Sequence, residues 1–238
     1  LNDKGGCVLA YEYLETNIQQ IREAIDHVKR PWTHPVTLIG VTKTYEADII
    51  NASITYGIQA IGENKVQEIM RKYEDVEKGV EWHLIGHLQT NKVKYIIDKV
   101  DLIQSVDSEK LALEIEKRAA SIQKIQNILI QINIAGEDQK AGISPEDLPV
   151  LLAQIAQMPH IRVLGLMNIG LFTEDEMLLR SHFKQMRTLF ETLPGYGYSN
   201  VTATHLSMGM SGDFELAVAE GATMVRVGTS IYGQRNYS

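Results

Sequence analysis

Cysteine is nearly absent: Cys7 is the single one among 238 residues. No disulfide can form within the chain, which fits a reducing compartment and makes the cytoplasm the expected location. Long hydrophobic runs are missing as well, none approaching the ~20 apolar residues that span a bilayer. The stretch LNDKGGCVLAYEYLE has no basic segment followed by an apolar core and a small-residue cleavage site, so no secretory signal is read there. Basic residues are not in excess either, because 23 Lys and Arg stand against 30 Asp and Glu for a net charge of −7. That balance argues against a general polyanion-binding surface, and neither nucleic acid nor a membrane is expected as a partner. Finally, no G-x-G-x-x-G follows the first strand-like run, which argues against an open doubly wound sheet.

What is present is a soluble composition, 44% hydrophobic and 22% charged, in a chain long enough for one large core but not for a second domain of ordinary size. Leu14, Ile18, Ile21, Ile25 and Val28 recur at steps of four and three. They form one apolar stripe on a helix that ends before the RPWTHP breaker and that caps a barrel end or covers a flank. Strand-like runs then begin at 36, 59, 82, 101, 127, 161, 201 and 224, with a helical segment between each pair. Among these segments, a helix from Thr90 follows the third strand, and Ser108 is placed to cap the helix after the fourth. Eight alternating units predict an α/β fold, a single-domain (β/α)8 TIM barrel over residues 1–238 with 1–35 as N-terminal helix and lead-in, at the short end of the usual ~250 residues.

In such a barrel the site is built at the C-terminal ends of the strands, with a phosphate-binding region commonly made by the loops after strands 7 and 8. VTLIGVTKT, residues 36–44, carries Lys43 at the end of the first strand. A lysine there either reaches solvent or, tuned by its surroundings, acts as a nucleophile that forms Schiff bases with carbonyl compounds. LSMGMSGD at 206–213 and VGTS at 227–230 bring Ser207, Ser211, Gly209, Gly212, Gly228 and Thr229 to the ends of the last two strands. Hydroxyls and closely approaching backbone N–H groups suit an anion, so both loops are candidate phosphate cradles. Arg226 lies between two valines in the last strand and requires either a buried acid such as Asp213 or a ligand atom in the barrel mouth. Asn64 in GENKVQE faces the mouth or caps the next helix. His83 and His87 are four apart, but Leu84, Ile85 and Gly86 between them look like strand end and loop, so zinc is discounted. The loop AGEDQKAGI offers Lys140 as part of a lid or a solvated turn.

Together the segments VTKT, GENKVQE, WHLIGHLQTNK, LIQINIAGEDQKAGI, GLMNIG and LSMGMSGDFELAVAEGATMVRVGTSIYG resemble the pyridoxal phosphate homeostasis protein family, in register over residues 36–235. Small departures are Asn168, where the family often has Thr or Cys, and Tyr232, where Phe is common. The resemblance implies a barrel like the N-terminal domain of alanine racemase, binding pyridoxal 5′-phosphate (PLP) as a Schiff base on Lys43. It implies Ser207, Gly228 and Thr229 at the phosphate, Arg226 at the pyridine nitrogen, and Asn64 and Met208 near the ring.

An arginine cannot take the ring proton, so it leaves the ring a weak electron sink. A racemase also needs an acid/base opposite the lysine, which in alanine racemase-like enzymes a second domain helps supply. The expectation is therefore a monomeric, non-catalytic carrier and buffer of PLP, with apo PLP-dependent enzymes as recipients. The alternative is a PLP-dependent racemase or decarboxylase using Tyr45 or His205.

Overall fold

Eight parallel strands, largely buried on both faces, close into one sheet. The computed structural model describes residues 11–136, 141–170 and 173–234. Strands β1 (Thr37–Val41), β2 (Ala60–Glu63), β3 (Glu81–Leu84), β4 (Leu102–Val106), β5 (Gln126–Ile132), β6 (Ile161–Asn168), β7 (Val201–Met210) and β8 (Met224–Val227) pair in sequence order as a closed barrel. All pairings are parallel, including β8 on β1. Each observed strand start lies within one residue of the position expected from the apolar runs. Alternation divides the side chains into two cores. Ile39, Ala60, Leu102, Leu129, Met167 and Met224 fill the barrel interior. Leu38, Ile61, Leu84, Ile103, Ile128, Leu206 and Val225 pack outward in the larger cluster with the helices. Each such fully buried Ile or Leu contributes about 1.5–3 kcal/mol relative to exposure.

The outer layer consists of α1 (Glu12–His27), α2 (Ala47–Thr55), α3 (Val66–Lys72), α4 (Glu109–Ser121), α5 (Leu148–Ile155), α6 (Glu176–Thr192), α7 (Phe214–Ala219) and α8 (Thr229–Tyr232). As expected, Ser108 caps α4, accepting from Leu111 N–H. The predicted stripe of α1 buries Leu14, Ile18, Ile21 and Ile25. It covers a flank of the barrel, against α2, α7 and α8. Helix α8 has only four residues, too few to shield β8 and β1, so α1 fills the gap. Asn17 ties the two by donating to Ile231 O at 2.9 Å. Where a helix from Thr90 was expected, the chain forms a 3-10 turn, Thr90–Tyr95. Buried Val93 and Ile96, then Ile97 and Val100, are three apart, the spacing that a three-residue turn places on one face. No helix among the described residues is long and apolar enough to cross a membrane.

Candidate functional site

A cavity of about 620 Å³ opens where β1, β2, β6, β7 and β8 end, within the range of small-molecule sites. On β1, alternation sends Leu38 and Thr42 outward and Ile39 and Val41 inward, so Lys43, next in that series, joins Val41 in the lining. Asn64 reaches the lining from the end of β2. Its backbone passes so close to Gly86 that a Cβ there would overlap Asn64 O, which explains glycine at that position. Lys65, not Asn64, occupies the N-cap position of α3, and no side chain caps it. Ile85, Ile169 and Met210 add apolar surface, while Ser211 and Thr229 add hydroxyls.

Arg226 is 4% exposed and neighbours β1 through its pairing with Ile39. Its Nη2 donates to Asn168 O at 2.7 Å and its Nη1 to Ser207 Oγ at 2.6 Å. From there a hydrogen-bond chain crosses the barrel: Ser207 Oγ donates to Gln104 Oε1 at 2.7 Å, and Gln104 Nε2 meets His83 Nδ1 at 3.0 Å. Because the Gln104 oxygen is already an acceptor, its amide must donate to an unprotonated His83 Nδ1. The ring proton then sits on Nε2, facing Glu81 Oε2 at 3.3 Å. Burial draws Arg226 down to about 10, opposed by Asp213, which leaves the guanidinium charged at neutral pH. Burial raises Asp213, while its bond from the Met210 N–H and the charge of Arg226 lower it.

Beneath Lys43 lies a second buried polar group. Lys72 Nζ donates to Glu63 Oε1 at 2.8 Å, Glu68 Oε2 at 2.8 Å and Thr42 O at 2.9 Å. Glu63 is fully buried, and burial pushes it up to about 7 despite Lys72 and Thr42. Burial also pushes Glu68 upward, but bonds from Lys72 and Thr44 outweigh it and hold that carboxyl below its ordinary value.

The sequence matches the family described as "Alanine racemase, N-terminal domain" over residues 12–236. A pyridoxal phosphate homeostasis protein of Aquifex aeolicus (strain VF5) is 42% identical over 229 residues, 96% of this chain and 99% of that relative. The chain belongs to the pyridoxal phosphate homeostasis protein family. The solved structure of PipY from Synechococcus elongatus, with PLP bound, is 32% identical at a TM-score of 0.82, over 92% of this chain and 100% of that one. Alanine racemase of Corynebacterium glutamicum is 15% identical at a TM-score of 0.75, covering 94% of this chain and 62% of the racemase; that likeness concerns the fold alone.

Of the seven residues carried over from the family, Lys43, Asn64, Arg226, Gly228 and Thr229 line one cavity. Ser207 is fully buried and bonds Arg226 and Gln104, so it holds the guanidinium and not the lining. Met208 is fully buried in the outer core, facing the helices. Gly209, at φ +91, breaks the alternation, and the register shifts between Ser207 and Met210. Met210 therefore reaches the cavity where Met208 was expected, and Ser211, the other hydroxyl offered for the phosphate, lines it while Ser207 lies deeper against Arg226. Arg226 is not bonded to Asp213, the acid weighed as its partner; Ser207 and Asn168 hold it. Tyr45 donates to Gly233 O at 2.8 Å and packs on Tyr232, outside the lining. His205 is lowered by burial and by His83, beside Glu81 and away from the lining. Lys140 lies outside the described residues.

Proposed function

We propose that this chain binds PLP in the cavity at the C-terminal end of its barrel, covalently through Lys43, and serves as a carrier and buffer of the cofactor in the cytoplasm. The observation that carries the reading is the joint placement of one amine, Lys43, and one buried guanidinium, Arg226, from adjacent strands in a single cavity with Ser211, Gly228 and Thr229. The donor set fits the cofactor: the Lys43 amine suits its aldehyde, the hydroxyls of Ser211 and Thr229 its phosphate and Arg226 its ring nitrogen, and Val41, Ile85, Ile169 and Met210 offer apolar surface to the ring. When bound, PLP supplies an aldehyde that condenses with a lysine amine and releases water.

Lys43 provides that amine from a strand end whose backbone is fixed by the sheet. Gly228, held by its N–H bond to Ser211 Oγ at 3.2 Å, keeps the last two loops together around the anion. Arg226, fixed on two sides by Ser207 and Asn168, presents a group that donates hydrogen bonds and cannot accept the ring proton. A ring nitrogen facing it stays unprotonated, which weakens the electron sink that amino-acid chemistry requires. The described lining holds one carboxyl, Asp213, already committed to the Met210 N–H. These features favour holding the cofactor over turning a substrate over; release to apo-enzymes and a monomeric working unit complete the proposal. The test is incubation of the PLP-loaded protein with a panel of L-amino acids in deuterated water. The expected result is no sustained α-proton exchange; continued turnover overturns the carrier reading.

A further inference from the structure

Lys43 lies between two peptide groups that are both gripped by one cluster, buried at Lys72 and Glu63 and partly buried at Glu68. The carbonyl on its N-terminal side, Thr42 O, accepts from Lys72 Nζ at 2.9 Å. The N–H on its C-terminal side, Thr44 N, donates to Glu68 Oε2 at 2.7 Å. Glu68 is itself bound to Lys72 at 2.8 Å, one helical turn away on α3. Glu63, at the end of β2, completes the group by accepting from Lys72 at 2.8 Å and from Thr42 Oγ1 at 2.7 Å. Lys72 is 1% exposed and Glu63 0%, so this is no solvated ion pair; one of the three donor bonds of Lys72 goes to the Thr42 carbonyl, and the other two go to the carboxylates that bond Thr42 Oγ1 and the Thr44 N–H.

The backbone shows why such a grip is required. Thr44 has φ +73, the left-handed region that a β-branched residue avoids. A strained residue of this kind persists only where its surroundings over-determine it, and such residues cluster at functional sites. The turn at Thr44 takes the chain out of β1 immediately after Lys43; a Tyr45 N–H to Thr42 O bond at 3.1 Å closes it, and the bond to Glu68 anchors it to α3.

We propose that Lys72, Glu68 and Glu63 are positioning residues that clamp both peptide groups of Lys43 and thereby aim its amine into the cavity. The proposal rests on the reading of Lys43 as the attachment point. Without the clamp, the loop relaxes from the strained turn and the amine samples directions away from the cavity, which slows attachment, since small misplacements of a reacting group cost large factors in rate.

The test uses the PLP-stripped full chain. PLP is added, samples are quenched with borohydride at intervals, and the pyridoxyl adduct on the Lys43 peptide is quantified by mass spectrometry. Hydrogen exchange at the Thr44 amide and reductive methylation of Lys43 by formaldehyde are measured without PLP. Glu68→Ala is expected to slow adduct formation by about tenfold or more and to remove protection at the Thr44 amide. Glu68→Gln keeps an oxygen acceptor and should recover most of the rate. Glu68→Asp keeps the charge but shortens the reach and should behave as the alanine variant; it decides the matter if Glu68→Ala does not fold. A wild-type rate in folded Glu68→Ala or Glu68→Asp, or a Thr44 amide still protected in either, overturns the clamp. If the unmodified chain forms no adduct on Lys43, the attachment reading fails. The clamp then stands or falls on whether these variants change Thr44 exchange and Lys43 methylation.

Discussion

Replacing Glu63 by glutamine should remove much of the pH dependence of stability between pH 5 and 8. Glu63 is fully buried, and burial raises its carboxyl from an ordinary 4.5 to about 7 even though Lys72 and Thr42 bond it. Below the unfolded value both states carry the proton, and the group adds no pH dependence. Between 4.5 and about 7 the folded state holds a proton that the unfolded state has lost, so stability falls as pH rises through this window and levels off above it. At about 1.4 kcal/mol per pKa unit, the loss from this residue is on the order of 3 kcal/mol. Glu63→Gln keeps an acceptor for Lys72 and Thr42 while removing the ionisation. Urea denaturation of both proteins at pH 5, 6, 7 and 8 provides the assay. The variant should show a markedly flatter stability profile and approach or exceed the parent at pH 8. An unchanged slope would refute the assignment of the buried proton to Glu63.

Two further outcomes follow from the same polar groups. Lys72→Met leaves Glu63 and Glu68 without their shared cation and should destabilise the fold by about 3–5 kcal/mol in chemical denaturation at pH 8. The loss should be smaller at pH 5, where Glu63 takes up a proton. Gln104→Leu removes the acceptor of Ser207 and the donor to His83; it should cost about 1–3 kcal/mol in the same assay and weaken PLP retention through the loosened Arg226, measured by equilibrium dialysis.

The barrel was legible because each strand is a short apolar run cut off by a helix-forming polar stretch, and eight such runs leave little freedom of topology. Lys43 and Arg226 were legible for a related reason: a cation at the end or inside of a buried strand stands out against its neighbours. The loop after β7 was harder. Simple alternation from Ser207 continues to Gly209, but the left-handed Gly209 inserts a shift, and a one-residue change of register exchanges every face. Met210 consequently stands in the lining where the resemblance put Met208, while Ser211, one of the two hydroxyls offered for the phosphate, lines the cavity and Ser207 sits deeper on Arg226. Lys72 was not legible at all, since in EIMRKYEDV it resembles any solvated helix lysine; only the third dimension brings Glu63 and the Thr42 carbonyl to it. Gln104 was similarly hidden in a strand, its meaning supplied by Ser207, a hundred and three positions away.

The most direct test of the account is the mass spectrum of the PLP-loaded protein after borohydride reduction and proteolysis. One phosphopyridoxyl group on the Lys43 peptide, absent from Lys43→Ala, is the expected result. An adduct on another lysine with Lys43 unmodified, or an adduct undiminished in Lys43→Ala, would contradict it.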